Sequence, residues 1–364
     1  MNFVCTRCGR KEAVITRAAH CTCGGLWKLE ADLPAFDLSG VDTHEWSLFR
    51  YRKFMALEDE SWRAVTMGEG MTPVVRLDED VLLKMDYFMP TLSFKDRGAA
   101  VLIAHCKSIG VDQVVQDSSG NAGNAVAAYC AKAGIACEIF VPEGTSPKKI
   151  DMIRAHGAVC TVVPGSRDHC ADVCRAKVEQ EGVYYANHVY NPFFYEGTKT
   201  YIYEAFEQLG RIPANIVIPT GNGTLFLGAI RALEHLLESG VIDNMPQIIA
   251  LQSQNCDPLL RAAAHGESEP ETVTPTPTIA EGIAIGKPMR GHEILSLAKK
   301  HHVRFVHAPE AQILSARAAL ARKGVYCEHT TAANYAAYLE YCRIYGQTPD
   351  TLITMCGAGL KSDH

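Results

Sequence analysis

From about residue 97 onward, short aliphatic and β-branched runs alternate with longer stretches whose apolar positions recur at helical spacing. The runs predict strands over Gln113–Gln116, Ala136–Val141, Val159–Val163, Asn215–Pro219, Gln247–Gln252, Arg304–His307 and Thr351–Met355. Between them the pattern predicts helices over Asn121–Ala133, Ser146–His156, Asp168–Glu181, Glu196–Leu209, Leu225–Glu238, Glu310–Lys323 and Ala332–Tyr345. Strand and helix repeating in this way imply an α/β fold with open, parallel-type sheets covered by helices on both faces. In such folds ligands bind at the loops beyond the carboxyl ends of the strands.

Before this body the texture changes. Residues 1–30 hold two close cysteine pairs and little apolar periodicity, which marks a small separate module. Residues 31–65, with Trp46, Phe49, Tyr51 and Phe54, read as an aromatic-rich connecting arm, and Gly68–Pro73 as a loop leading into the body. The segment 266–278, rich in Glu, Thr and Pro, reads as a surface loop. At 364 residues the chain is long enough for two packed domains beside the small module.

Composition narrows the function. Hydrophobic residues make up 47% and charged residues 21%, and the formal charge is −6. No basic field is available for a polyanion, so nucleic acid is not an expected partner. No long uninterrupted apolar run and no basic-then-apolar leader occur, which predicts neither membrane insertion nor export. Of the 14 cysteines, the ten outside the first module lie scattered between Cys106 and Cys356, the distribution of free thiols in a reducing, cytoplasmic setting.

Cys5 and Cys8, followed by Cys21 and Cys23, have the spacing of a tetrahedral zinc site in which each pair pinches the ion. With four protein ligands such a Zn²⁺ is structural, because no position remains for a substrate. Four unligated surface thiols are the alternative, but exposed clustered thiols oxidise readily.

Three segments of the body carry candidate chemistry. Lys95, in Ser93-Phe94-Lys95-Asp96-Arg97-Gly98, falls in the first turn of a predicted helix that Ser93 can cap. A helix N-terminus disfavours the ammonium form, and a neutral amine is what imine formation with an aldehyde needs. Asp117-Ser118-Ser119-Gly120-Asn121-Ala122-Gly123-Asn124 follows a strand and opens a helix, and its small residues let backbone amides approach a carboxylate or ring hydroxyl. Thr220-Gly221-Asn222-Gly223-Thr224 occupies the same kind of junction and can turn successive amides toward one phosphate. Each loop alone also serves as an ordinary tight turn, and Lys95 alone as a solvated cation. Together they describe one ligand, a phosphate at one end and an aldehyde at the other.

These segments, with Gly68-Glu69-Gly70-Met71-Thr72-Pro73 and Cys356-Gly357-Ala358-Gly359-Leu360-Lys361, resemble the threonine synthase branch of the fold-type II enzymes that use pyridoxal 5'-phosphate (PLP). The cysteine pairs resemble the zinc ribbon that precedes some members. The resemblance implies a ribbon over 1–30, a large PLP-binding domain over 31–97 and 191–364, and a smaller α/β domain inserted over 98–190, with PLP in the cleft between the two domains. By the same resemblance Lys95 forms the internal aldimine and then moves the α-proton of a small amino-acid substrate, with Phe94 behind the ring. Asn121 is expected to bond the cofactor's 3'-oxygen, and Ser119, Gly120, Ala122, Gly123 and Asn124 to hold the substrate carboxylate. Gly221, Asn222, Gly223 and Thr224 are expected to bind the phosphate and Cys356 to face the pyridine nitrogen, with Thr354 as the nearby alternative. Glu281 of Glu281-Gly282-Ile283-Ala284 would sit in a loop closing over the cofactor. The resemblance allows a homodimer.

Two departures bear on the reaction. Leu92 stands where glycine is usual before Ser-Phe-Lys, and Phe194 in Asn191-Pro192-Phe193-Phe194-Tyr195-Glu196-Gly197 stands where threonine synthases carry a phosphate-binding arginine. Lys199, His188 or Arg154 could meet a substrate phosphate from another direction. The expected activity is a threonine synthase-like lyase working through aminoacrylate- or vinylglycine-type intermediates. The alternatives are a serine or threonine dehydratase-type ammonia-lyase, a β-replacement synthase, or a catalytically silent binding protein on the same fold. His301, His302 and His307 read as a solvated helix end and strand.

Overall fold

The structure is a computed structural model that describes residues 1–362. The chain opens with β1 (Asn2–Cys5), β2 (Lys11–Ala13) and β3 (Trp27–Glu30), then crosses an arm of short 3-10 turns. After β4 (Val74–Arg76) and β5 (Val81–Lys84) come α1 (Lys95–Ser108), β6 (Gln113–Gln116), α2 (Asn121–Ala133) and β7 (Ala136–Pro142). Next are α3 (Pro147–Ala155), β8 (Val159–Val163), α4 (Arg167–Glu181), β9 (Tyr184–Tyr185) and α5 (Phe193–Leu209). The remainder runs β10 (Asn215–Pro219), α6 (Thr224–Glu238), β11 (Gln247–Ser253), α7 (Pro258–His265), α8 (Gly291–Lys300) and β12 (Arg304–Ala308). It closes with α9 (Glu310–Arg322), α10 (His329–Tyr345), β13 (Thr351–Thr354) and α11 (Gly359–Ser362).

The contacts divide the chain into two units. The first comprises Met1–Pro34, Ser39–Glu69 and Lys95–Thr198. Its main sheet has the order β8-β7-β6-β9, parallel throughout. Parallel strands need helical crossovers, and these cover both faces, so the strands carry nearly continuous apolar runs such as Val114-Val115 and Ile139-Phe140-Val141. The small antiparallel sheet β2-β1-β3 belongs to the same unit. It is docked rather than tethered: Phe3 lies edge-on to Phe193 and His105, Arg17 donates to the Gly110 carbonyl, and Leu26 joins the cluster of Val115, Phe140, Cys174 and Tyr185.

The second unit comprises Ala35–Leu38, Gly70–Phe94 and Lys199–His364. Its sheet has the order β12-β11-β10-β13-β5-β4 and is parallel except for β4, which pairs antiparallel with β5. Leu83, Val217, Ile249, Ile353 and Ala333 lie in one continuous core between this sheet and its helices. Among the described residues no helix is long and apolar enough to cross a membrane. Residues 267–279 form the expected surface loop, pinned where Val273 donates to the Gly286 carbonyl.

The sequence reading places Ser93 as the cap of α1, and the structure differs. Ser93 bridges to Gly357 through its backbone, and its buried hydroxyl has no hydrogen-bond partner. The pairing with the loop after β13 holds residue 93 in the second unit, and the helix starts at Lys95 itself.

Candidate active site

In a parallel sheet, loops that leave neighbouring strands emerge at the same end. In the first unit β6 and β9 are such neighbours, with Val115 opposite Tyr185. The loops beyond them are stitched together: Tyr185 and Asn187 both donate to one oxygen of Asp117, at 2.6 and 2.7 Å. The Asn187 side-chain oxygen in turn accepts from the amides of Val189 and Tyr190, and Asn191 caps the Phe193 amide at 3.0 Å. These bonds set the turn that carries His188 and the start of α5 that carries Phe194.

Beyond β6, Ser119 and Gly120 lead into α2, whose first turn includes Asn121, Ala122, Gly123 and Asn124. Gly120 gives α2 no side-chain cap, and no acidic residue occupies that first turn. The Gly120 amide donates to the Ser118 hydroxyl and the Asn124 amide to the Gly120 carbonyl, and the positive end of the helix favours an anion there. The Asn124 side-chain oxygen is buried there without a partner. Lys95, half-buried at the first residue of α1, places its amine 5.8 Å from the centre of the Phe194 ring.

Glu69, in the Gly68–Pro73 loop, was not singled out by the sequence although the loop was. It is fully buried and accepts from the Tyr129 hydroxyl of α2 at 3.0 Å, the Met67 amide at 2.8 Å and the Thr66 hydroxyl. Burial pushes its carboxyl up to about 7, against the hydrogen bonds that favour the charged form. His188 shows the converse: burial, then the positive charges of Lys95 and Arg167, lower its pKa well below the usual imidazole range, so it is neutral.

The second unit repeats the strand-end arrangement. β10 and β13 are parallel neighbours, so the loops Thr220–Gly223 and Met355–Ala358 emerge side by side. Gly223 adopts a left-handed backbone (φ +74°) and caps α6 with no side chain; a Cβ there would meet Ile294 at 2.4 Å. Gly221 and Thr224 are buried and Asn222 half-buried, and the first turn of α6 also lacks an acid.

Next to this loop, the Thr354 hydroxyl is committed to the Val217 carbonyl at 3.0 Å and the Tyr201 hydroxyl at 2.8 Å. Cys356 receives the Asn334 amide on its sulfur at 3.2 Å, and its carbonyl accepts from the Phe94 amide at 2.9 Å. Asn334 is a residue the sequence gave no reason to choose, since its only signal is a lone amide in an otherwise apolar helix face. Glu281 sits in a 3-10 turn whose Gly282 amide is held by the Thr330 hydroxyl.

Of the cations that could replace the missing arginine, Arg154 is exposed on α3 and Lys199 lies buried in the second unit over Tyr203. His301 and His307 hydrogen-bond with Glu234 and Asp257, outside the loops described above, at 2.8 and 2.9 Å. At the N-terminus, one ligand atom from each of Cys5, Cys8, Cys21 and Cys23 lies within 4.8 Å of the others.

Comparison with known proteins agrees with this geometry. The family described as "Pyridoxal-phosphate dependent enzyme" matches residues 65–357. Threonine synthase of Methanosarcina acetivorans is 30% identical over 355 residues, covering 91% of this chain and 84% of its own. Threonine synthase of Methanocaldococcus jannaschii is 27% identical, covering 91% and 85%. Among solved structures, maize serine racemase superposes with a TM-score of 0.70 at 21% identity, covering 84% of this chain and 94% of its own, a likeness of fold.

Proposed function

Because the chain belongs to the pyridoxal-phosphate-dependent enzyme family and is a PLP-dependent lyase, we propose that Lys95 holds the cofactor's aldehyde and Gly221, Asn222, Gly223 and Thr224 its phosphate. One observation carries the reading. Lys95 follows directly on Phe94, whose amide is bonded to the Cys356 carbonyl in the loop beside residues 220–224. Phe94 and the loop over residues 220–224 are thus tied to the ends of adjoining strands, and Lys95 follows Phe94 in the chain. When bound, PLP supplies an electron sink that lets an α-proton and a leaving group depart from an amino acid.

The chain's own groups divide the remaining work. Lys95 takes and returns the α-proton. The loop and first helical turn over residues 119–124 hold the substrate carboxylate at the positive end of α2, and Asn121 bonds the cofactor's ring oxygen. Cys356 faces the pyridine nitrogen, with Thr354, whose hydroxyl bonds the Val217 carbonyl and the Tyr201 hydroxyl, as the alternative. A thiol there donates weakly and cannot hold the ring protonated as a carboxylate would, which suits elimination or replacement at the β carbon over transamination.

The reaction is a threonine synthase-like elimination or replacement on a small amino acid. The ammonia-lyase alternative draws support from Phe194, which provides no charge for a phosphorylated side chain. Zn²⁺ bound by Cys5, Cys8, Cys21 and Cys23 completes the ribbon as a structural ion. Borohydride reduction of the PLP-loaded protein followed by peptide mapping tests the central claim. The label is expected on Lys95 and absent in Lys95→Ala; a label elsewhere, or none, ends the reading.

A further inference from the structure

His188 is almost completely buried, yet its Nδ1 has no hydrogen-bond partner. A buried imidazole nitrogen left unpaired has lost the hydrogen bond water gave it in the unfolded chain, and a ligand that supplies a partner restores that bond. Its surroundings point to that use. The ring lies 5.8 Å from Phe194, tilted by 64°, and the amine of Lys95 lies 5.8 Å from the opposite partner in this contact, the same Phe194 ring. Phe194 is seated on Gly98 of α1, where even a Cβ would come within 2.3 Å of the ring. Asn187, locked by Asp117, holds the turn from the other side.

We infer that His188 is the specificity-determining residue for the substrate's side chain, and that it selects an amino acid bearing a free hydroxyl over one bearing a phosphate ester. The inference rests on the proposed function and deepens it. A neutral imidazole offers one donor and one acceptor, which match a hydroxyl. A phosphate dianion beside Phe194 would lack the charge-assisted bonds that make such groups bind. Protonating His188 to supply a charge is opposed by its burial.

Matched pairs differing only in the phosphate test this: L-serine with O-phospho-L-serine, and L-homoserine with O-phospho-L-homoserine. Dissociation constants come from the fast absorbance change of the full-length, PLP-loaded protein on mixing, which does not depend on turnover. Each hydroxyl compound is expected to bind at least about tenfold tighter than its ester. His188→Ala should weaken the hydroxyl compounds by about tenfold, and His188→Gln, which keeps a donor and an acceptor, should recover most of the loss. Esters binding as tightly as alcohols, no effect of either variant, or equal losses in both would overturn the inference while leaving Lys95 labelling intact. Absence of cofactor on Lys95 would remove the proposed function and the inference together.

Discussion

Glu69 is the residue whose ionisation the fold makes most costly to ignore. Its carboxyl is raised from its ordinary value to about 7 by burial. A raised carboxyl favours the neutral folded form, so its contribution to stability is fully present below the unfolded pKa and is lost as pH climbs from about 4.5 to about 7. Urea unfolding of the wild type should therefore give a midpoint that declines across that interval. Glu69→Gln, which keeps the shape and cannot ionise, should flatten the decline; parallel curves for the two proteins would refute the assignment. Asn334 makes a second residue-scale case. Its amide donates to the Cys356 sulfur and the Thr354 carbonyl, so Asn334→Leu should lower PLP affinity, read by equilibrium dialysis, by about tenfold with little change in Lys95 labelling.

Helices α1 and α5 meet where side chains are missing. A Cβ on Gly197 would lie 1.9 Å from the Arg97 carbonyl oxygen, a backbone atom that cannot give way. Gly197→Ala should destabilise by about 2 kcal/mol or more, seen as a drop of several degrees in melting temperature, whereas Gly182→Ala at the exposed end of α4 should cost less. Such close approaches are invisible in a single sequence, while many elements are not. β6 and β10 start and end where their apolar runs meet turn residues, because buried parallel strands need unbroken hydrophobic runs. β5 escaped notice because Lys84 interrupts the pattern. That lysine is fully buried, bonded to Glu204 at 2.5 Å and to Gln208 at 3.0 Å, a pairing only the tertiary fold can supply. The short α7 and α8 and the three- and four-residue strands of the cysteine module were missed for lack of length. Likewise the glycine loops and Lys95 were legible as a motif, but the facing of His188 and Phe194 and the role of Asn334 depend on neighbours distant in sequence.

At the scale of the whole molecule, the cysteine module is where cofactor chemistry and folding part company. Metal analysis of purified protein should return about one zinc per chain, falling with Cys8→Ser, because each thiolate supplies one of four bonds. PLP content should change far less than metal content; a protein that loses both in step would show that the ion belongs to the reaction. Yet the ribbon is not dispensable trim. Phe3, Trp27 and Leu26 are buried, and they lie over α1, the start of α5 and the β6–β7 core. A gene started at codon 31 would leave that apolar floor bare to water, so its product should clump during expression at any zinc concentration, and trypsin should find no early nick that sheds the first thirty residues as a stable fragment.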